Sequence, residues 1–65
     1  MTELDAVVGR VREEFKEMPG LQLTPAQAMR LWGLERQTCR AVIDSLVASA
    51  FLRWTTGGAV TRAEG

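Results

Sequence analysis

Arg36, Gln37 and Arg40 are the residues of this chain best equipped for chemistry, and that chemistry is recognition. Arginine carries a planar fork of N–H donors that matches guanine or phosphate, and glutamine offers the donor and acceptor that match adenine. Their spacing places them on one side of a helix, together with Ala41, Asp44 and Ala48. A helix with long hydrogen-bonding side chains near its start and small ones further along can enter a groove. The contending reading is an ordinary solvated helix face, on which Arg40 pairs with Asp44 four residues on. Asp44 is read as that local partner and not as a base reader.

The chain has no histidine and a single cysteine, Cys39, so neither a disulfide within the chain nor a cysteine-based metal site is expected. It carries no serine nucleophile motif and no phosphate-binding glycine loop, because Gly57-Gly58 lies between β-prone segments and not before a helix. No catalytic residue, metal ligand or cofactor is therefore expected, and the chain is not read as an enzyme. Cys39 lies on an apolar stripe, where a lone cysteine acts as a small buried hydrophobe. A reactive thiol would need exposure beside the cationic Arg36 and Arg40.

The elements that must position these side chains follow from periodicity. Cys39, Val42, Ile43, Leu46, Val47 and Ala50 form one face of a helix from about 36 to 49. Before it, Thr24-Pro25 opens a short helix from about 25 to 32. Thr24 and Gln27 have the spacing of a capping box, and proline suits the first helical position. Ala28, Leu31 and Trp32 are expected to face inward, with the Trp32 indole N–H finding a partner at the surface. Gly33 ends this helix in a left-handed conformation. Gly33-Leu34 followed by an amphipathic helix is a helix-turn-helix turn, with Leu34 plugging the corner.

An earlier helix, from about 3 to 18, follows from Leu4, Val7, Val8, Val11, Phe15 and Met18. Thr2 and Asp5 resemble a capping pair at its start, its acids form a solvated face, and Pro19-Gly20 ends it. Leu21-Gln22-Leu23 alternates as a short strand does. A hairpin, or wing, is expected over about 52 to 62, with Gly57 and Gly58 as a two-residue turn in which both have positive φ. Trp54 falls on the same side as Leu52 and so packs under the wing; the alternative is an exposed aromatic at a subunit or partner interface. The tail Ala63-Glu64-Gly65 is expected to fray. The fold class is mainly α with a small β-hairpin, in one domain spanning 1 to 65.

Sixty-five residues, 46% apolar and 25% charged, suit one small globular domain. A chain this short buries only about 60% of its unfolded surface, so a second apolar face on the first helix has value as a dimer surface as well as a scaffold. Nothing approaches the ~20 apolar residues of a membrane span. The N-terminus has no signal-peptide pattern, so the cytoplasm is the expected location. The formal net charge is zero. Residues 1 to 20 hold five acids against three bases, whereas residues 21 to 65 hold five arginines against three acids and contain no lysine. That is a modest footprint for nucleic acid.

The order of helix, short strand, helix, turn, helix and Gly-rich hairpin resembles the winged helix-turn-helix domain of bacterial transcription regulators. The similarity runs through LTPAQAMRLWGLERQTCRAVIDSLVASAFLRWTTGGAV, and QTCRAVIDSLVASAFLRW resembles the third helix and wing of MarR-type regulators. The resemblance implies that the third helix lies in the major groove of double-stranded DNA and the wing along the backbone or minor groove. It would place Arg36, Gln37, Thr38 and Arg40 against DNA from the third helix, with Arg53 and Arg62 flanking the wing. Three positions depart from the family pattern. Glu35 stands where a good helix cap is usual, Met29 where the residue is usually small, and Ala50 where glycine commonly ends the helix.

Two functions are expected from these features. One is a DNA-binding transcription regulator acting as a homodimer, with third helices addressing half-sites about 10 bp apart. The other is a winged-helix module that binds a protein partner and no DNA, through the first helix or Trp54. The residues offered for a subunit or partner interface are Trp54, Phe15 and Val8.

Overall fold

The computed structural model describes residues 3–63, which form three helices and a hairpin: α1 (Glu3–Glu17), α2 (Pro25–Trp32), α3 (Arg36–Ala48), β1 (Leu52–Trp54) and β2 (Val60–Arg62). The fold is therefore mainly helical with a small antiparallel hairpin, as the hydrophobic pattern requires. The capping pair at Thr2, and Glu64 and Gly65 of the tail, lie outside the described residues.

One core holds these elements together. Val11 and Phe15 of α1, Ala28 and Trp32 of α2, and Cys39, Val42, Ile43 and Leu46 of α3 meet Leu52 and Val60 of the hairpin, all buried. Phe15 meets Trp32 edge to face, with centroids 6.5 Å apart at 69°. The Trp32 indole N–H reaches outward to Glu14 Oε1 at 2.9 Å. Trp32 thus has the surface partner expected of it. Glu14, expected on a solvated face, instead ties α1 to α2.

The α1 stripe overruns the core at both ends. Leu4 and Met18 are exposed, and the helix stops at Glu17, one residue before the expected end. Leu31 also departs from expectation. In an eight-residue helix, Ala28 and Trp32 fix the inward direction, and Leu31 lies to one side of it, 55% exposed.

α2 starts and stops as its sequence dictates. Thr24 Oγ1 accepts from the Gln27 N–H at 3.2 Å, and Gln27 Oε1 accepts from the Thr24 N–H at 3.0 Å. Gly33 then turns left-handed, with φ 67°, and the Leu34 N–H closes back onto the Met29 carbonyl at 3.1 Å. α3 closes in the same way. The Phe51 N–H donates to the Leu46 carbonyl at 3.0 Å and the Ala50 N–H to Val47 at 3.0 Å, with Ala50 at φ 64°. This is a Schellman closure with alanine in the place where glycine is favoured.

The hairpin pairs Leu52 with Arg62, Arg53 with Thr61 and Trp54 with Val60. Its turn is longer than the expected two residues. The Thr55 N–H donates to the Ala59 carbonyl at 2.7 Å, the Gly58 N–H to the Thr55 carbonyl at 3.1 Å, and the Ala59 N–H to Thr55 Oγ1 at 3.1 Å. Thr56, Gly57 and Gly58 therefore form the loop, and only Gly58 has positive φ, at 85°. A three-residue loop ending in a left-handed glycine satisfies the strand twist as well as a two-residue primed turn does.

The expected strand at Leu21–Leu23 is reduced to one bridge. Leu23 and Val60 exchange both backbone hydrogen bonds, at 3.0 and 2.7 Å. Beside it, the buried Thr61 hydroxyl donates to the Leu21 carbonyl at 2.9 Å. Ala63, expected to fray, is held by its N–H donating to the Phe51 carbonyl at 3.0 Å.

Candidate functional site

The apolar stripe of α3 turns its other side outward. Cys39, Val42, Ile43 and Leu46 are fixed in the core, which leaves Arg36, Gln37, Arg40, Ala41, Asp44 and Ala48 exposed on the opposite face. Between this face and the start of α2 runs an open groove of about 740 Å³, with Pro25, Ala26 and Met29 on its α2 side. Met29 is half-buried and helps line this groove.

The structure gathers some of the expected recognition residues and separates others. Arg36, Gln37 and Arg40 lie together along the groove. Arg40 Nε donates to Asp44 Oδ1 at 3.1 Å, the i, i+4 pair expected from the sequence. Thr38 belongs elsewhere. It is half-buried, and its hydroxyl donates to Glu35 Oε1 at 3.3 Å at the helix start. Glu35 is the N-cap residue of α3, yet its side chain makes no capping bond to the helix backbone.

On the hairpin, Arg53 is exposed, but Arg62 is half-buried at the base. Its guanidinium lies 4.9 Å from the Phe51 ring centroid, and Arg12 of α1 lies 5.2 Å from the same ring. The two guanidiniums share one aromatic ring, at the hairpin base where Arg62 pairs with Leu52. The loop itself, Thr56-Gly57-Gly58, carries no base.

The interface candidates divide likewise. Phe15 is fully buried against Trp32, so it serves the core and cannot line a surface. Val8 is half-buried against that core. Trp54 is 37% exposed, so it does not pack fully under the wing. Leu52, on the same side, reaches the core, whereas Trp54 lies two pairs nearer the loop, opposite Val60. There the guanidinium of Arg40 covers it at 5.7 Å from the ring centroid. This stack joins α3 to the hairpin. No periodicity could have shown it, since it depends on how the chain returns after Ala50.

Burial pushes the Cys39 thiol above its ordinary value, and Cys39 is only 1% exposed, so it behaves as the small hydrophobe its stripe position implied. Among the described residues no group of three or more His, Cys, Asp or Glu side chains could hold a metal ion. No helix among them is long and apolar enough to cross a membrane. What the site offers is an outward edge of hydrogen-bond donors with a groove beside it. No known protein family, curated protein or solved structure matches the chain.

Proposed function

We propose that this chain is a small winged helix-turn-helix DNA-binding protein, a transcription regulator whose α3 enters the major groove of duplex DNA. One observation carries the reading. Arg36, Gln37 and Arg40 extend into solvent from one face of α3 while the rest of that face is short, with Ala41 and Ala48 leaving the backbone accessible. Such a face fits between phosphate walls and places donors against base edges. The exposed Arg30 and Arg53 add positive charge on neighbouring elements. With about three phosphate contacts per protomer, the logarithm of affinity would fall with the logarithm of salt at a slope near −3. Binding in the micromolar range or tighter then calls for two copies, so the acting unit in this reading is a homodimer.

The experiment is a fluorescence anisotropy titration of labelled mixed-sequence duplex at two salt concentrations. Binding that weakens steeply with salt is expected, and the double variant Arg36→Ala/Arg40→Ala should lose at least about tenfold in affinity. Folded protein that binds no duplex at low salt would overturn the proposal. A second reading, a module for a protein partner, draws on a different observation. Leu4 is exposed beside Glu35 along a shallower groove of about 470 Å³ between α1 and the start of α3. A partner captured there would be insensitive to the two arginine substitutions.

A further inference from the structure

We infer that Arg40 is the base-reading arginine of α3, directed at a guanine, and that Trp54 of the hairpin is its positioning residue; this rests on the DNA-binding reading above. Two contacts restrain Arg40 although its side chain is 63% exposed. Nε is taken by Asp44 Oδ1 at 3.1 Å, and the guanidinium carbon lies over the Trp54 ring at 5.7 Å from its centroid. With Nε occupied, the two terminal Nη groups are the donors that remain to face outward. A parallel pair of donors is what the O6 and N7 acceptors of guanine take in the major groove.

The carboxylate beside Arg40 also decides which acceptor it suits. Asp44 offsets the charge of Arg40 and would itself be repelled by a phosphate, so this pair favours a neutral base edge. Arg36 has no ion pair among the described residues and is the one suited to phosphate. Trp54 contributes through its ring face, since tryptophan is the best aromatic partner for a guanidinium. Because Trp54 is on β1 and Arg40 on α3, the stack holds the fork in place before any ligand arrives. The rotamer entropy of a long side chain is then lost on folding and not on binding.

The test uses the full chain and a duplex selected by it from a random pool. Single guanines in that duplex are replaced in turn by 7-deazaguanine, which lacks the N7 acceptor. At one guanine per half-site the replacement should weaken binding by about threefold or more. That penalty should vanish in Arg40→Ala, and in Trp54→Leu it should fall to about half its wild-type value. Trp54→Phe, which keeps a ring face, should restore most of it. The salt slope should stay the same in all three variants, whereas Arg36→Ala, which removes one phosphate contact from each protomer of the dimer, should reduce it by about two.

A full penalty in Trp54→Leu would overturn the positioning role, and a full penalty in Arg40→Ala would overturn base reading. If Trp54→Leu fails to fold, Asp44→Ala at its solvated position removes the acceptor from Nε and tests the same restraint of the fork, and a full penalty there would also overturn the positioning scheme. A wild-type chain that binds no duplex at low salt would remove the DNA-binding reading and this inference together. That outcome is distinct from a chain that binds duplex with a penalty indifferent to residue 54.

Discussion

α2 and α3 end on the same backbone geometry and begin on different ones, and the contrast shows what holds each helix. Both close with a 6→1 hydrogen bond over a left-handed residue: Gly33 at φ 67° after α2, and Ala50 at φ 64° after α3. At the other end, α2 has a full capping box and a proline, whereas Glu35 caps nothing on the α3 backbone. α2 has eight residues and buries two of them, so local devices must define it. α3 has thirteen and buries four, so the core defines it and its ends are free to depart from the best helix chemistry.

That contrast can be broken first in the core. Ile43→Ala removes a fully buried side chain of α3 and should cost about 2–5 kcal/mol. A domain of this size has only ~3–10 kcal/mol in total, so circular dichroism should show a much lower melting temperature or loss of the cooperative transition. A mild effect would mean that α3 does not rest on the core as argued.

The two left-handed positions come next. A Cβ at Gly33 would meet no atom within 4 Å, so Gly33→Ala tests backbone strain alone and should cost about 1–2 kcal/mol. Ala50→Gly should relieve the same strain, offset in part by the greater entropy of the unfolded chain, for a net gain of about 1 kcal/mol. In thermal melts that is a rise of about 4–8 °C. Equal and opposite shifts would show the two closures to be equivalent, and no gain at Ala50 would sink the comparison.

The helix starts give the smaller effects. Thr24→Ala should cost about 1 kcal/mol in urea denaturation, by removing the acceptor for the Gln27 N–H. Glu35→Asp keeps the charge but shortens the side chain to one that can cap, and should add about 0.5 kcal/mol. If Glu35→Asp is destabilising, the present Glu35–Thr38 contact is worth more to α3 than a backbone cap.

Most of this architecture was legible because it is written in local pattern. The α3 stripe, the Thr24-Pro25-Gln27 start and the Gly33 stop each specify an element within a few residues. Misreadings arose where a second element decides. Phe15 fits a helix face equally well as core or as interface, and only Trp32 packing against it settles the matter. Leu31 shares a helical side with Ala28 until α3 fixes which direction is inward. Of the candidate site, the exposed trio Arg36, Gln37 and Arg40 could be read in advance, since a strong apolar stripe determines its opposite face. The Trp54 contact and the α2 wall of the groove could not, because both depend on tertiary approach.

The bridge between Leu23 and Val60, with Thr61 fastened to Leu21, means that the stretch after α1 has its partners near the C-terminal end of the described chain. During synthesis the three helices emerge first, and the ribosome adds roughly 5–20 residues per second while they wait. Until β2 leaves the exit tunnel, Leu23 lacks its backbone partner and the pocket filled by Val60 stands open. A nascent chain stalled before that point would present its helices with an unfinished core to whatever chaperone is nearby.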